Sequence, residues 1–347
     1  MEHIYNDLKN LRDKGALVHC ITNYVAMNIN ANILLSIGAS PLMSHATNEL
    51  KEIAAISSCL VNNIGTLDDN WRPSFLEASK YYVEQEKPII LDPVGSGASK
   101  LRTQTSLDII KSSKNLIIRG NASEIQSLVD QNKISSKGVD SSIESHAAIE
   151  SGKILSNENN CVVFISGSDD FIIYEDNVTK ISNGSSVMTK VTAIGCSLSC
   201  IVGAFAAVGE SLYKSAISSA AIFSIAGELA ASKSEGPGDF QVNFLNKLND
   251  IDCEMGEWSG WGNCSVDCDG GIQIRTRDIK TPSQGDGEVC GNKLIESQEC
   301  NLHKCVFKVK SSLSFGGDVS ELEASNNEKE MFIQEFKVKM AAINWPW

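Results

Sequence analysis

The chemically capable side chains of this sequence follow short apolar runs. Asp92 ends one such run in "IILDPVGSGA", and Glu124 follows the next in "IIRGNASE". Carboxylates at two neighbouring strand ends can hold Mg²⁺ through oxygen or water, as phosphoryl transfer requires. Each residue also has a plainer interpretation, because an Asp before Pro often starts a turn and a Glu at a helix start is often solvated.

A cysteine lies at the start of a later apolar segment. In "TKVTAIGCSLSC" (189–200), Cys196 follows Gly195 and precedes a run of small residues. A helix that begins at Gly195 or Cys196 would direct free N–H groups and its positive dipole end toward the two acids. Those donors can stabilise a transferring phosphoryl group, and the dipole would lower the pKa of the Cys196 thiol. The alternative is that Cys196 is a buried apolar filler.

The elements that must position these groups are predicted from apolar runs that alternate with helix-like segments. Strands are predicted at 16–22, 58–65, 87–95, 115–121, 160–167 and 170–176, and helices at 28–40 and 49–58. Strands buried on both faces and alternating with helices indicate an α/β layered fold, in which ligands bind at the carboxyl ends of the strands. No Walker-type G-x-x-x-x-G-K-[ST] occurs, which disfavours a P-loop enzyme.

Charge and hydropathy exclude other classes. The 347 residues carry a formal net charge of −13, which argues against nucleic acid or an anionic membrane as the main partner. No apolar run has the length of a membrane span. The charged, amphipathic start is unlike a secretory signal, so we expect the first part of the chain to be cytosolic.

Residues 17–245 resemble the hydroxyethylthiazole kinases, which are members of the ribokinase-like superfamily. The matching strings are "VHCITNYVAMN", "IGASPLM", "NIGTL", "LDPVGSGA", "IRGNASEI", "KGVDS", "TKVT" followed by Gly195 and Cys196, and "SEGPGDF". The resemblance implies a ribokinase-like three-layer αβα domain, expected over residues 1–250. It implies an enzyme that phosphorylates the hydroxyl of 4-methyl-5-(2-hydroxyethyl)thiazole with ATP and Mg²⁺, in thiamine biosynthesis or salvage. A homo-oligomer, specifically a trimer, is also implied.

The same resemblance gives site residues four kinds of role. These are substrate binding by Met43, Asn23 and Gly195, ATP binding by Arg119, Ser166 and Asn121, metal binding by Asp92 and Glu124, and catalysis by Cys196. Most ribokinase relatives carry an aspartate base where this chain has Cys196. The thiol would therefore face the substrate hydroxyl as a base or as a positioning group.

One departure from the family pattern precedes the cysteine. The family usually has Gly-Thr-Gly-Cys where this chain has Ala193-Ile194-Gly195-Cys196. If the first position needs a positive φ, Ala193 would be strained there. The backbone N–H donors survive both changes. The alternative function is a secreted or surface adhesive protein with an inactive kinase-like scaffold.

Cysteine spacing separates a second region. Six of the eleven cysteines lie within residues 253–305, where aliphatic residues are few. Disulfides must replace a hydrophobic core in such a segment, although the sequence alone leaves their pairing open. A zinc knuckle at Cys264 and Cys268 is the alternative, but no second close Cys or His pair completes it.

Residues 252–305 resemble a thrombospondin type 1 repeat. The resemblance rests on Trp258 and Trp261, "CSVDCDGG" at 264–271, and Arg275 and Arg277. It implies arginines stacked between tryptophans, a glycan or protein ligand, and the pairs Cys253–Cys290, Cys264–Cys300 and Cys268–Cys305. Such a repeat needs an oxidising compartment, which conflicts with a cytosolic kinase and leaves the localisation open. Residues 306–347 are expected to be the truncated start of a further domain.

Overall fold

The computed structural model of the chain describes residues 2–130, 141–251, 253–255, 259–266, 271–276, 279–282 and 295–303. The chain divides into two compact units, one of Met1–Asn263 with Ile272–Gln298 and one of Cys264–Gly271 with Glu299–Trp347. The layered fold that carries the candidate site belongs to the first unit.

The strands of the first 250 residues alternate with helices, as their apolar runs predict. The strands are β1 (Leu17–Ile21), β2 (Ser40–Met43), β3 (Cys59–Asn63), β4 (Ile89–Asp92), β5 (Leu116–Asn121), β6 (Val162–Ser166), β7 (Asp170–Tyr174) and β8 (Asn177–Ile181). They form a single sheet in the order β2-β1-β3-β4-β5-β6-β7-β8. Strands β1 to β6 pair in parallel, and β7 and β8 join the edge in antiparallel fashion.

Helices cover the sheet. They are α1 (Glu2–Lys14), α2 (Met27–Ile37), α3 (Leu50–Ile56), α4 (Trp71–Glu84), α5 (Lys100–Ser112), α6 (Ala122–Val129), α7 (Ser141–Asn159), α8 (Ile194–Ala206), α9 (Leu212–Ala231) and α10 (Pro237–Asn249). A short 3₁₀ helix spans Ser186–Lys190. No helix in the described part of the chain combines the length and the apolar character that a membrane crossing needs.

Side chains alternate between two hydrophobic cores, one on each face of the sheet. In β4, Ile89 and Leu91 pack into the core formed with helices α3 to α7, whereas Ile90 packs into the core formed with α1, α2, α8, α9 and α10. A strand buried on both faces must be apolar at successive positions, which is the pattern of "IIL". The predicted α/β layered fold is therefore confirmed, with three layers.

The cysteine-rich region contains short strand pairs. Its strands are β9 (Cys253–Met255), β10 (Gly271–Thr276), β11 (Ile279–Pro282) and β12 (Ile295–Cys300), with β9 paired to β11 and β10 to β12. The guanidinium carbon of Arg275 lies 4.6 Å from the ring centroid of Trp261, which confirms the stacking expected for that pair.

One predicted disulfide is present, because Cys264 and Cys300 are bonded. The pairs Cys253–Cys290 and Cys268–Cys305 each include a residue outside the described ranges, as do the predictions for Trp258, for Arg277 and for residues 306–347.

Candidate functional site

Predicted site residues lie where the parallel strands end. Met43, Asp92, Asn121 and Ser166 are the last residues of β2, β4, β5 and β6, Arg119 is in β5, and Asn23 follows β1 by two residues. Because these strands are parallel, their carboxyl ends meet at one edge of the sheet, where ligands bind in open α/β folds. The short apolar runs thus place five of the six residues at that edge, whereas Met43 ends β2, a strand that the apolar runs did not predict.

Asp92 is a buried carboxylate that is built into the site. It is 1% exposed, and its Oδ2 accepts hydrogen bonds of 2.7 Å from both Asn63 Nδ2 and Ser199 Oγ. Arg119 Nη1 lies 3.8 Å from the same oxygen. Burial raises the pKa of Asp92 to about 6, opposed by Arg119 and supported by the negative charge of Glu124. These partners favour a site role over the turn interpretation.

Two amide side chains connect Asp92 to the thiol. Asn63 Oδ1 accepts a hydrogen bond of 2.8 Å from Asn23 Nδ2, and Asn23 Nδ2 also lies 3.3 Å from Cys196 Sγ. A methyl group at Gly65 would lie 2.6 Å from Asn23 Cγ, so a glycine is needed for the Asn23 side chain to reach both partners. Asn63, the last residue of β3, was not predicted as a site residue, although it lies within the strand predicted at 58–65.

Cys196 lies in the first turn of α8 and is a half-buried free thiol. Burial, followed by the negative charge of Asp92, raises the pKa of this thiol above its ordinary value, and hydrogen bonds from Asn63 and Asn23 only partly offset the rise. The prediction that the helix dipole would lower the pKa of Cys196 was wrong, because desolvation and the neighbouring carboxylate outweigh the dipole. The thiol is therefore mostly protonated at neutral pH.

The turn before Cys196 adopts the conformation that the family's glycine would favour. Ala193 is the N-cap of α8 and has φ 65° and ψ 3°, in the left-handed region. A Cβ in that region crowds the following carbonyl, at a cost of about 1 kcal/mol or more. The helix begins at Ile194, one residue earlier than predicted, and the Ile194 side chain is buried in the core.

Arg119 connects β5 to the start of α8. Its Nη1 donates to the Gly195 carbonyl at 3.0 Å, and its Nη2 donates to Ser166 Oγ at 2.6 Å. A methyl group at position 195 would lie 3.2 Å from Nη1, so a glycine permits the close approach. Within the described residues, Arg119 Nε is buried with no hydrogen-bond partner, which leaves one donor of a cationic group for a ligand.

Glu124 and Asn121 form a capping box at the start of α6. Asn121 Oδ1 accepts from the Glu124 backbone N–H at 2.9 Å, and Glu124 Oε2 accepts from the Asn121 backbone N–H at 2.9 Å. Glu124 Oε1 accepts from the Gly95 backbone N–H at 2.9 Å. Each carboxylate oxygen keeps a second lone pair. Glu124 thus ties the glycine loop after β4 to α6 and retains acceptor capacity.

A pocket of about 770 Å³ adjoins this edge of the sheet. Of the predicted residues, Arg119, Ser166 and Gly195 line it. Asp170, Ser224 and most of segment 183–194 also line it, and the sequence did not predict them as site residues. Although residues 189–192 belong to the "TKVT" string of the family resemblance, only the folded positions of β7, α9 and the 3₁₀ segment bring these residues to the pocket.

The carboxylates of this edge suit a hard divalent cation. In the described ranges, no group of three or more His, Cys, Asp or Glu side chains is arranged to hold a metal ion. Asp92 and Glu124 are close enough for their charges to interact. Mg²⁺ is commonly held by one or two carboxylates, with water and substrate phosphates completing its shell, so this donor set fits Mg²⁺ bound together with a nucleotide.

Comparison with known families gives two matches along the chain. A model of the hydroxyethylthiazole kinase family matches residues 8–254, and a model of the spondin-like TSP1 domain matches residues 253–305.

Curated relatives cover the first match almost completely. Hydroxyethylthiazole kinase of Leptospira biflexa serovar Patoc (strain Patoc 1 / Ames) is 46% identical over 254 residues, 73% of this chain and 95% of the relative. Hydroxyethylthiazole kinase of Psychromonas ingrahamii is 47% identical over 249 residues, 72% of this chain and 92% of the relative.

Solved structures support the same fold. Hydroxyethylthiazole kinase from Pyrococcus horikoshii OT3 is 36% identical with a TM-score of 0.66, over 72% of this chain and 94% of that one. A ribokinase-like superfamily protein from Enterococcus faecalis V583 is 11% identical with a TM-score of 0.52, over 70% of this chain and 88% of that one. The second likeness concerns the fold alone, and together they confirm the ribokinase-like architecture.

Proposed function

The chain belongs to the hydroxyethylthiazole kinase family, and we propose that its site transfers the γ-phosphoryl group of ATP to the hydroxyl of 4-methyl-5-(2-hydroxyethyl)thiazole, a step of thiamine biosynthesis. The observation that carries the proposal is the meeting of Arg119, Asp92 and Cys196 at the start of α8. A cation, a buried carboxylate and free helix N–H groups at one point are the parts that phosphoryl transfer uses.

On the ATP side, we propose that Arg119 and Ser166 bind the phosphates and that Asn121 contacts the nucleotide from the start of α6. Arginine suits this role because its planar guanidinium matches phosphate oxygens. The buried Nε and the hydrogen bonds that orient Arg119 support the proposal. The N–H groups at the start of α8 would add donors for the transferring group.

On the substrate side, we propose that Met43 packs on the thiazole ring, that Asn23 and Cys196 hold the hydroxyl, and that Gly195 lets the alcohol approach the phosphate. A methionine sulfur contacts aromatic rings favourably. Because the Cys196 thiol has a raised pKa, it suits positioning better than proton removal. The loose transition state of phosphoryl transfer makes little demand on a base, so positioning is expected to dominate the rate.

Asp92 and Glu124 are the residues that we propose hold Mg²⁺ beside the nucleotide. When bound there, the ion would neutralise charge on the phosphate oxygens during transfer. Asn63 and Ser199 orient the Asp92 carboxylate through its Oδ2, and the capping box fixes Glu124. The chain's own contribution is thus a pair of fixed, oriented oxygen donors.

For the assembly, we propose the homotrimer that the resemblance implies, with the site beside a subunit interface. Tyr24 and Val25 directly follow Asn23 and are 60% and 61% exposed. Large apolar side chains exposed beside a site are commonly covered by a partner. We retain a catalytic domain at 1–250 and a repeat at 252–305 as proposed boundaries.

The test is a steady-state assay of ADP formation by the full chain with ATP, Mg²⁺ and the thiazole alcohol. We expect thiazole-dependent turnover. Cys196→Ala is expected to lower kcat roughly 10-fold or more, with the KM for ATP nearly unchanged, because the thiol acts on the alcohol.

The matched control is Cys161→Ala, which removes another free cysteine that lies buried in the opposite core and should leave kcat unchanged. A folded wild-type chain that forms no ADP with the thiazole would overturn the proposal and favour the adhesive scaffold.

A further inference from the structure

One buried acid of the pocket has no role in the mechanism above. Asp170 is the first residue of β7, is 7% exposed, and lines the pocket with Arg119 and Ser166. A carboxylate beside a site for a polyphosphate opposes anion binding by its charge. Its presence there needs another physical reason.

The hydrogen bonds of Asp170 give that reason. Its Oδ1 accepts from the Gly167 backbone N–H at 3.0 Å, which closes the turn of residues 166–170 between β6 and β7. Burial raises the pKa of Asp170 to about 6, and the Ser224 hydroxyl of α9, which lines the same pocket, is close enough to the carboxylate to oppose that rise. Asp170 therefore fixes the turn internally and lies beside a helix that forms another wall of the pocket.

The turn of residues 166–170 also holds Arg119 in place. Ser166 is the first residue of this turn, and its Oγ accepts from Arg119 Nη2 at 2.6 Å. Arg119 Nη1 donates to the Gly195 carbonyl at 3.0 Å. A continuous path of hydrogen bonds and short covalent links thus runs from Asp170 through Gly167 and Ser166 to Arg119.

We propose that Asp170 is a positioning residue of the nucleotide site, which holds Ser166 and Arg119 in the geometry that binds the phosphates of ATP. This inference rests on the proposed function, because it takes the pocket beside Arg119 as the nucleotide site. Asp170 acts through the turn and not through contact with the nucleotide. The site needs the acceptor contact of Asp170 with the Gly167 N–H, and the charge of the carboxylate is not required for it.

Substitution of Asp170 by asparagine separates the effect of its hydrogen bonds from the effect of its charge. In Asp170→Asn, the amide oxygen can still accept from Gly167, and the amide nitrogen can donate to the Ser224 hydroxyl, which also accepts. Asp170→Ala removes the acceptor and leaves the Gly167 N–H without this partner. The two variants lose the same charge but differ in whether the turn is held.

The experiment measures the Kd of a non-hydrolysable ATP analogue with Mg²⁺ by calorimetry on the full chain, and KM and kcat in the kinase assay. For Asp170→Ala we expect Kd and the KM for ATP to rise about 10-fold, the size of one lost charge-assisted hydrogen bond. The KM for the thiazole should not change. Asp170→Asn should restore nucleotide Kd to near the wild-type value.

Asp169→Ala is the matched control. This neighbouring carboxylate pairs with Lys180 at 2.9 Å and is not among the pocket-lining residues, so its loss should leave nucleotide Kd unchanged. An unchanged Kd in Asp170→Ala would overturn the proposal. So would a Kd in Asp170→Asn equal to that of the alanine variant, since charge would then be the cause, or an equal rise in the KM for the thiazole.

Ser224→Ala is a second variant in case Asp170→Ala does not fold. It removes the hydroxyl beside the Asp170 carboxylate with little change in volume, and we expect a weaker rise in nucleotide Kd. In the Asp170→Asn background the same substitution should reproduce that rise, whereas equal Kd values with and without Ser224 would overturn the proposal.

A wild-type chain that binds the analogue but does not phosphorylate the thiazole would defeat the proposed function and leave the Asp170 test intact.

Discussion

His19, in β1, illustrates how burial alone changes the chemistry of a residue. Its side chain is fully buried, with Nδ1 3.1 Å from Tyr82 Oη and Nε2 2.9 Å from the Ser44 carbonyl. The Ser44 carbonyl can only accept, so Nε2 carries the proton and Nδ1 accepts from Tyr82. Burial lowers the pKa of His19 from 6.5 to about 4, against smaller opposing effects of Ser44 and Glu49. The imidazole is therefore a neutral structural group.

We predict that His19 makes the fold sensitive to mild acid. Its folded-state pKa is below the unfolded value, so the unfolded chain binds the proton first as the pH falls, and stability is lost between pH 6.5 and about 4. The loss from this group should reach about 2 kcal/mol by pH 5. The measurement is the free energy of unfolding in urea at pH 7 and pH 5.

The His19→Gln variant isolates this effect. Gln can donate to Ser44 and accept from Tyr82 without titrating. Asp92 and Asp170 have raised pKa values near 6 and titrate in the same window with the opposite sign, but they contribute equally to both proteins. The wild type should therefore lose more stability than the variant, and parallel pH profiles would contradict the prediction.

At the residue scale, the sequence predicted which side chains lie close together better than it predicted their pKa values. Asp92 was predicted because it ends an apolar run, whereas Arg119 and Ser166 were assigned from the family resemblance, and the structure brings the three together. The pKa of Cys196 was predicted in the wrong direction, because a sequence can show a helix start but not the desolvation or the nearby Asp92 carboxylate. Asp170 was missed because the sequence of the turn shows neither the burial of its carboxylate nor its place in the pocket beside Arg119.

At the scale of elements, the start of α8 holds a local conflict. Ala193 occupies a left-handed conformation that glycine adopts without strain. The conflict persists because the flanking contacts of Gly195 with Arg119 and of Ile194 with the core determine the path of the chain.

We predict that Ala193→Gly stabilises the fold by roughly 0.5–1 kcal/mol, because relief of left-handed strain exceeds the added chain entropy of glycine. Urea unfolding measures the change. Ala55→Gly is the control, because Ala55 is exposed within α3 and a glycine there should cost about 1 kcal/mol. A destabilised Ala193→Gly would show that the turn is not strained.

Element prediction succeeded where the hydrophobic signal was strong. All six predicted strands and both predicted helices are present. β2 was missed because it has only four residues, "SPLM", including a proline, and β8 because the edge strand "NVTKI" is half polar. The antiparallel pairing of β7 and β8 was also not predicted. It results from the short connections between β6, β7 and β8, which the spacing of apolar residues does not indicate.

At the scale of the whole molecule, both hydrophobic cores are built from residues between Leu8 and Leu248. An alignment of 254 residues covers 95% of one curated relative. A domain with its own core is expected to fold alone.

We therefore predict that a fragment of residues 1–251 folds and phosphorylates the thiazole with a kcat/KM near that of the full chain. Circular dichroism melting and the kinase assay check this. Full-length protein treated with dithiothreitol is the companion measurement and should keep its activity, because the described disulfide, Cys264–Cys300, lies outside the fragment. An insoluble or inactive fragment would show that the later residues are needed.

Two free cysteines in the hydrophobic core of the kinase domain make the order of folding and oxidation important for this chain. Cys20 Sγ and Cys200 Sγ lie 3.7 Å apart, both sealed from solvent, while Cys264 and Cys300 of the same polypeptide are joined. The contact with Cys20, followed by burial, raises the pKa of Cys200, which keeps the thiol from forming the thiolate that oxidation attacks. Where an oxidant forms the Cys264–Cys300 disulfide, Cys20 and Cys200 stay reduced only if the hydrophobic core has already folded around them. Folding of the core therefore protects these two thiols chemically as well as building the structure.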